Sequence, residues 1–338
     1  MLRFAGWAAA LAAVLFATPL FSQSGTHADL ILARFENARA WRHHILVAAH
    51  RGSAMEEGRF VRPENSRASI EHAIEIGAEI VEIDVSRAAD GALVVMHDTW
   101  LDRTTTCRGR LADHTLAELR ACRLKVQGGV ATEEPVPTLA ELLAVARGRI
   151  LVNVDNKIGP EAIPAIAAEA EALGMGRHVI LKENIWSPDR MDAVAAWVDR
   201  APGIRFMPIL ADDAVREAGF ATRVAERFAA VAVEAIAWRK DAEPMTHDGG
   251  PLFAPAMRAA ADKGGWHLWA DTFSIVNKPG GMLSGGRGDK LAVLADLPEE
   301  GWGFWIDRGA TVLHTDEPGA MIRWLDAQGL RAPYALTN

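Results

Sequence analysis

The chain alternates short, β-branched apolar runs with longer alanine-rich stretches, and few folds accommodate such a regular alternation. Eight of the apolar runs predict strands, at Ile45–Ala49, Ile80–Val85, Ile150–Asp155, Val179–Lys182, Ile204–Ile209, Val231–Ala235, His267–Ala270 and Thr311–His314. The periodic stretches around them predict helices, over Ser66–Gly77, Leu139–Arg147, Pro160–Leu173, Pro188–Val198, Asp212–Phe228, Pro251–Lys263, Gly301–Arg308 and Pro318–Gln328. Eight strands separated by helices favour a closed parallel barrel over an open sheet.

Two segments interrupt the alternation. Ala89-Asp90-Gly91-Ala92 predicts a hairpin turn after the second strand, so that Leu93–Met96 folds back beside that strand. A stretch rich in glycine and proline, Thr272–Glu300, predicts a long loop before the eighth strand. We therefore expect an α/β protein with one domain over residues 40–332, a distorted (β/α)8 TIM barrel with a hairpin excursion and a long loop.

The first residues are typical of an export signal. Arg3 precedes an uncharged and mostly apolar stretch over residues 4–21, and the small residues Ser22 and Ser24 follow it. Thr18-Pro19 interrupts the stretch and no basic flank follows, which argues against a retained membrane anchor. We expect a signal over residues 1–24, an exported protein that is periplasmic or secreted, and no stable membrane span after cleavage.

The charge of the chain argues against one class of partner. The net charge is −8 and no basic stripe is present, so binding to nucleic acid is not expected. The partner expected instead is a small molecule, and the oligomeric state is left open.

Cys107 and Cys122 are the only cysteines, and they flank a polar segment, Arg108–Ala121. In an oxidising compartment they can pair, which would stabilise the fold by about 3 kcal/mol for a loop of that size. Two unpaired thiols are the alternative. The export signal favours the disulfide.

Carboxylates on the second predicted strand point to a cation site. Glu82 and Asp84 share one face of that strand, whereas Val81, Ile83 and Val85 share the other. The apolar face should pack on outer helices, and the two carboxylates should then point into the barrel at the strand's C-terminal end, where such barrels hold their sites. Two like charges so close ionise together only beside a cation. Oxygen ligands favour Mg²⁺ or Ca²⁺, and the alternative is a solvated acidic face.

The third predicted strand repeats this pattern with Asp155 and Lys157 on one face. Asp155 is a candidate third ligand, and Lys157 can hold a phosphate oxygen or balance the carboxylates. A surface ion pair between the two is the alternative.

Two histidines follow apolar runs and lie near acidic residues. His50 precedes Arg51 and Gly52, a guanidinium suited to phosphate and a residue that permits close approach of the backbone. His97 precedes Asp98, and an imidazole suits general acid and base catalysis. Eight other histidines receive no role, namely His43, His44, His72, His114, His178, His247, His267 and His314.

Pro63-Glu64-Asn65 precedes the first predicted helix. Asn65 or Ser66 is a plausible N-cap. Glu64 can cap the helix, join the cation or orient a histidine, and these options stay open.

Together these residues resemble the glycerophosphodiester phosphodiesterase family, within the phospholipase C-like phosphodiesterase barrel superfamily. The resemblance covers Val47 to about Leu325. The segments that carry it are His50–Gly52, Pro63–Asn65, Gly77–Val85, Asp90-Gly91, Val94–Asp98, Leu101–Thr105, Val136–Leu139, Asp155–Lys157, Leu268-Trp269 and Thr315–Pro318. Each segment is weak alone, whereas the ordered series is specific.

The resemblance implies a distorted eight-stranded barrel that hydrolyses glycerophosphodiesters, such as deacylated phospholipids, to glycerol 3-phosphate and an alcohol. It makes His50 and His97 the catalytic pair and has Arg51 and Lys157 hold the phosphate. It places one divalent cation, Mg²⁺ or Ca²⁺, on Glu82, Asp84 and Asp155, with Glu64 as a further metal residue. It also makes Trp269 a residue of the substrate pocket.

The chain departs from the family in three places. Asp155 stands where many members have a glutamate, which shortens that ligand by one methylene. The residues after Trp269 differ from the usual run. Ser53–Arg62 is longer than in compact members and can alter the preference for the leaving group.

A mechanism follows as a hypothesis. The cation and Arg51 neutralise the phosphodiester, one histidine takes a proton from the attacking oxygen, and the other protonates the departing alcohol. We favour His97 as the acid. The attacker is either water or the substrate's own neighbouring hydroxyl, which would give a cyclic phosphate first.

Two rival functions are weighed against this one. Sphingomyelinase D-like phospholipases share the paired histidines and Asp155-Asn156-Lys157, but they act on intact lipids and need an exposed apolar rim. Trp302, Phe304 and Trp305 are candidates for that rim, or equally the packed face of a short helix. Pro63–Asn65 and Asp102–Thr105 favour the diesterase. A non-catalytic phosphoester-binding protein would predict a broken catalytic set, whereas this set is intact.

Overall fold

The computed structural model describes residues 25–127, 129–240, 242–274 and 281–334, so the predicted signal lies outside the described residues. In chain order, the strands of this part are β1 (Leu46–Ala49), β2 (Met55–Glu56), β3 (Arg59–Phe60), β4 (Ile80–Arg87), β5 (Leu93–Val95), β6 (Arg123–Val126), β7 (Val130–Pro135), β8 (Leu151–Asn156), β9 (Val179–Asn184), β10 (Arg205–Ala211), β11 (Ala232–Ile236), β12 (Arg239–Lys240), β13 (His267–Asp271), β14 (Gly281–Met282) and β15 (Ala310–Thr315). Its α-helices are α1 (His27–Phe35), α2 (Arg67–Glu75), α3 (Leu116–Ala121), α4 (Leu139–Ala146), α5 (Ile163–Ala172), α6 (Pro188–Val198), α7 (Ala218–Arg227), α8 (Pro255–Gly264), α9 (Phe304–Ile306) and α10 (Pro318–Ala327).

A closed parallel barrel forms the centre of the molecule. Its strands follow the order β1-β15-β13-β11-β10-β9-β8-β4, and β1 pairs with β4 to close the ring. All eight predicted strands are present, and their bounds differ from the prediction by at most 2 residues. The expected TIM-barrel fold is confirmed.

Side-chain alternation along the strands separates two layers. On β4, Val81, Ile83 and Val85 are fully buried in the large core between the barrel and its helices, as predicted. Ile80 points the other way and joins the cluster inside the barrel. Glu82 and Asp84 follow on this inner face, nearer the C-terminal end of β4, which is where the site lies.

The excursion after β4 forms as predicted and contains more structure than the sequence indicated. β5 pairs antiparallel with the end of β4, with Val85 opposite Val95. The same excursion also contains α3 and the antiparallel pair β6–β7, which the sequence analysis did not foresee as strands. Cys107 and Cys122 form a disulfide across it.

The predicted long loop before the eighth strand is partly regular. β14 pairs with β12, and π-helical turns occupy Lys290–Leu294 and Glu299–Gly303 before α9. The side chains of Trp302, Phe304 and Trp305 are buried in this segment, so they pack inward and do not form an exposed rim.

Helix α1 precedes residue 40, the expected start of the domain, and belongs to the packed body. Its residues Ala28, Ile31, Leu32 and Phe35 are buried at 1% exposure or less. They form one cluster with inner barrel residues, namely Leu46, Ala48, Ile80, Leu151, Ile180, Met207, Ala232, Trp269 and Val312. The helix therefore covers the N-terminal end of the barrel, because the apolar interior there needs a lid of apolar side chains.

Several predicted helices start later than expected, and α7 shows the largest difference. α7 begins at Ala218 rather than Asp212, because Asp212 accepts a hydrogen bond from the backbone N–H of Trp238 at 3.0 Å and so belongs to the loop. In the described part of the chain, no helix is long and apolar enough to cross a membrane.

Candidate active site

A cavity of about 400 Å³ opens at the C-terminal end of the barrel. The predicted residues that line it are His50, Arg51, Glu82, Asp84, His97, Asp155 and Lys157. Residues that the sequence analysis did not assign also line it, among them Lys182, Glu234, Trp238, Asp271, Phe273 and His314. Strands far apart in the chain therefore bring the predicted histidines, carboxylates and cations into one place.

His50 follows β1 directly and is 5% exposed. Its Nδ1 lies 2.8 Å from Asp316 Oδ1, and its ring stacks on Phe273 with the centroids 3.8 Å apart. Burial and the neighbouring Arg51 guanidinium hold the pKa of His50 well below its usual value. The arrangement fits a neutral imidazole whose Nδ1–H donates to Asp316, which leaves Nε2 as the proton acceptor.

His97 is held by a chain of charged groups. Its Nδ1 lies 2.8 Å from Asp98 Oδ1, and Arg103 donates to both oxygens of Asp98 at 2.6 and 2.9 Å. Burial would raise the pKa of Asp98, but the hydrogen bonds from His97 and Arg103 outweigh it and keep that pKa well below its usual range. Asp98 is therefore ionised and lies where it can accept a hydrogen bond from His97 Nδ1.

Glu64 connects the two halves of the site through guanidinium groups. Arg103 donates to both Glu64 oxygens at 2.7 Å, and Arg51 Nη1 donates to Oε1 at 2.9 Å. Glu64 is not part of the carboxylate cluster that could hold an ion. The structure shows a role that was not among the options from the sequence, because this carboxylate positions Arg51 and Arg103.

Arg51 and Gly52 turn the chain sharply after β1. Both have positive φ, 51° and 82°, and the backbone N–H of Arg51 donates to Glu82 Oε2 at 3.0 Å. A Cβ at position 52 would stand 2.3 Å from Ser69 Oγ, so only glycine fits this turn. The turn directs the Arg51 side chain back over the carboxylates.

Asp84 is fixed by groups on three sides. Asn65, another residue with positive φ, donates from Nδ2 to Asp84 Oδ2 at 2.7 Å and accepts from the Asp84 N–H at 3.1 Å. Lys157 Nζ lies 3.0 Å from Oδ1, and Arg51 Nε lies 3.3 Å from Oδ2. The helix N-cap is Ser66, one of the two predicted candidates. Asn65 instead positions Asp84.

Ligand atoms of Glu82, Asp84 and Asp155 lie within 4.8 Å of one another. Burial and the Asp84 carboxylate raise the pKa of Glu82 to about 8. Burial would also raise the pKa of Asp84, but Lys157 and Arg51 outweigh it and keep that pKa well below its usual range. The raised pKa of Glu82 indicates that the positive charges near it do not offset its burial and the charge of Asp84. Three converging carboxylates of this kind fit a divalent cation that binds oxygen ligands.

The second half of the cavity wall was not predicted. Lys182 Nζ lies 3.1 Å from Glu234 Oε2 and 3.7 Å from Glu82 Oε1. Burial, with the neighbouring Asp271 carboxylate, raises the pKa of Glu234 to about 7, and burial raises that of Asp271 to about 7. Glu234 is the single polar residue of β11, whereas Lys182 and Asp271 lie in the C-terminal halves of β9 and β13, so the sequence offers only a weak signal.

Trp269 lies below the cavity. Its side chain is fully buried in the cluster inside the barrel, and its ring meets His314 edge-on with the centroids 5.4 Å apart. It is not among the residues that line the cavity. Its position supports His314 from beneath and gives no contact for a substrate.

The chain matches a known family over most of the barrel. The model of the Glycerophosphoryl diester phosphodiesterase family matches residues 50–271, more than half of the 338 residues. The chain belongs to this family. The match begins at His50 and includes β4 and β8, which carry Glu82, Asp84 and Asp155.

Curated relatives of the family align over part of their length. Glycerophosphodiester phosphodiesterase of Caldanaerobacter subterraneus subsp. tengcongensis is 37% identical over 123 residues, which is 36% of this chain and 49% of that protein. The Bacillus subtilis enzyme of that name is 39% identical over 97 residues, which is 29% of this chain and 30% of that protein. The chain thus spans about half the length, or less, of these relatives.

Solved structures of the family share the fold. A Glycerophosphoryl diester phosphodiesterase of Parabacteroides distasonis has a TM-score of 0.64 at 19% identity and covers 92% of this chain and 94% of its own. An Oleispira antarctica phosphodiesterase in complex with the product sn-glycerol-3-phosphate has a TM-score of 0.55 at 19% identity and covers 85% of this chain and 99% of its own. At these identities the likeness shows the barrel fold alone.

Proposed function

We propose that this chain is a glycerophosphodiester phosphodiesterase that depends on a divalent cation and releases glycerol 3-phosphate and an alcohol. One observation carries the proposal: two imidazoles, each bonded at Nδ1 to its own carboxylate, line the same cavity as an acidic cluster and the cationic side chains Arg51 and Lys157. The product named with the Oleispira structure, sn-glycerol-3-phosphate, agrees with this substrate class.

The two histidines receive different roles in this mechanism. His50 is buried and neutral, so its Nε2 accepts the proton of the attacking oxygen while Asp316 holds Nδ1–H. His97 is paired with the ionised Asp98, so its protonated form donates to the departing alcohol. General acid and base steps of this kind contribute roughly 10²- to 10⁴-fold each.

The basic side chains of the site and its divalent ion would together neutralise the charge of the phosphodiester. Arg51 and Lys157 now pair with Asp84, and a bound phosphate would share those donors. Glu82, Asp84 and Asp155 would hold a divalent ion, which would supply further neutralisation of the phosphate oxygens. The nucleophile is water or the neighbouring glycerol hydroxyl, and detection of a cyclic phosphate product distinguishes the two.

The test of this function measures release of glycerol 3-phosphate from several glycerophosphodiesters, with a chelator and with each divalent ion added back. We expect chelation to abolish turnover and one ion to restore it. His50→Gln and His97→Gln should each lose at least about 10²-fold in kcat, whereas the matched control His43→Gln, at an exposed histidine, should not. Rates like those of the unmodified protein in both site variants would reject the histidine roles.

The same assay on lipid vesicles tests the phospholipase alternative. The three aromatic residues proposed for a lipid-facing rim are buried, which favours the small diester. Turnover of intact lipid that exceeds turnover of glycerophosphocholine would reverse that preference.

We also propose that the chain is exported, to a periplasm or to the exterior. The uncharged stretch at residues 4–21 supports this, and so does the disulfide between Cys107 and Cys122, since disulfides persist in oxidising compartments. Cell fractionation with N-terminal sequencing of the mature chain tests it, and a cytosolic, unprocessed chain would contradict it.

A further inference from the structure

His314, at the end of β15, lies inside the barrel beside the acidic cluster, and neither the sequence pattern nor the proposed mechanism gives it a role. Its ring is 1% exposed. Phe273 and His50 meet it edge-on, with centroid distances of 4.8 and 5.0 Å, and Trp269 packs beneath it. These contacts fix the plane of the imidazole.

Asp271 fixes which nitrogen of His314 carries the proton. His314 Nδ1 lies 3.1 Å from Asp271 Oδ1, and the two residues are register partners on β13 and β15. A carboxylate at Nδ1 selects the tautomer with Nδ1–H, which leaves a lone pair on Nε2.

His314 Nε2 is buried and has no hydrogen-bond partner among the residues that the structure describes. A buried polar atom without a partner is uncommon and points to a missing ligand. The carboxylate oxygen Oε2 of Glu82 lies 4.0 Å from Nε2. That distance is too long for a hydrogen bond, whereas two ligands with bonds of roughly 2.1 Å to one ion can stand about 4 Å apart.

We propose that His314, through Nε2, is a nitrogen ligand of the divalent ion held by Glu82, Asp84 and Asp155. Asp271 is its positioning residue, because a carboxylate on the far nitrogen of a metal-bound histidine orients the ring and strengthens the ligand. The inference deepens the proposed function, on whose divalent ion it rests.

A nitrogen ligand changes which ion the site prefers. Oxygen-only sites suit Mg²⁺ and Ca²⁺, whereas an imidazole shifts the preference toward Mn²⁺, Co²⁺ or Zn²⁺. We therefore infer that a transition-metal ion binds this chain more tightly than Ca²⁺ or Mg²⁺ does, contrary to the expectation from the three carboxylates alone.

A separate ion on Glu234, Asp271 and His314 is the competing arrangement, since their ligand atoms also lie within 4.8 Å of one another. Lys182 lies nearer to this second cluster, since its ammonium is 3.1 Å from Glu234 and 3.7 Å from Glu82, so it opposes a cation on Glu234 more than one on Glu82.

The experiment loads the chelator-stripped full chain with one equivalent of Mn²⁺ and records pulsed electron paramagnetic resonance. We expect coupling to ¹⁴N in the unmodified protein and in His50→Gln, and loss of that coupling in His314→Gln. Titration calorimetry should show at least about tenfold weaker Mn²⁺ binding for His314→Gln, with Ca²⁺ binding changed by less than about threefold. Asp271→Asn should keep the coupling and weaken Mn²⁺ binding about 10- to 100-fold.

Other outcomes overturn the inference in distinguishable ways. Mn²⁺ binding without nitrogen coupling, or coupling lost in His50→Gln and kept in His314→Gln, removes His314 from the ligand set and leaves the proposed function intact. Coupling that survives in Asp84→Asn combined with Asp155→Asn assigns the ion to the competing site. No binding of any divalent ion overturns the metal dependence itself. If His314→Gln fails to fold, anomalous diffraction from Mn²⁺-soaked crystals of the unmodified protein decides whether the ion lies between His314 Nε2 and Glu82.

Discussion

Asp316 is the residue on which the proposed base depends. One of its oxygens lies 2.8 Å from His50 Nδ1, and the other accepts from the backbone N–H of Ser274 at 2.6 Å. Its own N–H donates to Asp289 at 2.7 Å. Both oxygens of Asp316 accept a hydrogen bond. The NH₂ group of an asparagine at this position would therefore face either the Nδ1–H of His50 or the N–H of Ser274, and two donors would oppose each other.

Asp316→Asn should therefore lower kcat by about 10²-fold or more with little change in KM, as expected when a histidine loses the carboxylate that sets its tautomer. Nitrogen NMR of the His50 ring should show a mixed tautomer in the variant. A rise in KM with kcat unchanged would instead indicate a role in substrate binding.

Glu79 is a buried carboxylate that stabilises the fold away from the cavity. It accepts from Val47 N–H at 3.0 Å and from Arg331 Nη2 at 2.7 Å, and it lies 3.2 Å from His44 Nε2. Burial would raise its pKa, but the His44 hydrogen bond and the Arg331 charge outweigh it, so the pKa is lowered. Its contribution is then present above about pH 4.3, the unfolded value, and is lost as the pH falls toward the lowered folded pKa.

Glu79→Gln should lower the unfolding free energy by about 3 kcal/mol at pH 7, since it removes one partner of a buried ion pair. Urea unfolding at pH 7 and at pH 4 measures this. The unmodified protein should lose more stability between the two than the variant does. Parallel losses would show that Glu79 does not carry the acid sensitivity.

At the scale of elements, the excursion after β4 supplies one side of the site. It carries His97, Asp98 and Arg103, and the bond from Arg103 to Glu64 ties it to the loop after β1. The disulfide between Cys107 and Cys122 closes a segment of 15 residues within it. The disulfide therefore stabilises the excursion internally, and the ion pair between Arg103 and Glu64 attaches it to the barrel rim.

Cys107→Ser combined with Cys122→Ser should destabilise this excursion by up to about 3 kcal/mol, the value for a loop of that length. Hydrogen exchange should show faster opening between residues 99 and 126, with the barrel strands unchanged. An equal loss of protection throughout the barrel would mean that the disulfide stabilises the whole fold.

Elements whose hydrophobic residues repeat with a clear period were predicted from the sequence, and elements without such a repeat were missed. The barrel strands are β-branched runs, and alternation placed Glu82 and Asp84 on the inner face of β4 correctly. β6 and β7 have only 4 and 6 residues and include several charged side chains, so a strand period is not visible in them. Lys182, Glu234, Asp271 and His314 come from four separate strands and meet only when the barrel closes. The contact of Asp316 with His50 likewise forms only when β15 pairs with β1.

At the scale of the molecule, the two ends of the barrel differ in the polarity of their side chains. α1 covers the N-terminal end with apolar side chains, while charged groups crowd the C-terminal end. Phe35 of α1 is fully buried and stacks on His267, with the centroids 5.4 Å apart. The apolar contacts that stabilise the barrel thus lie at the N-terminal ends of the strands, and the candidate active site lies at their C-terminal ends.

Phe35→Ala should lower the unfolding free energy by about 3–5 kcal/mol through the cavity it leaves. The kcat/KM per folded molecule should change by less than about twofold, because the cavity wall is at the other end. Denaturant unfolding and active-site titration measure the two quantities. A large fall in kcat/KM per folded molecule would show that the ends are coupled.

His50 and its acceptor Asp316 stand 266 residues apart along the chain. Both proposed catalytic histidines, His50 and His97, are synthesised early in translation. Asp316, whose carboxylate binds the proposed base His50, is synthesised only after the last barrel strand. In the proposed mechanism, a polypeptide that stops before Asp316 would lack the carboxylate that orients its base, and hydrolysis would begin only after β1 and β15 have paired.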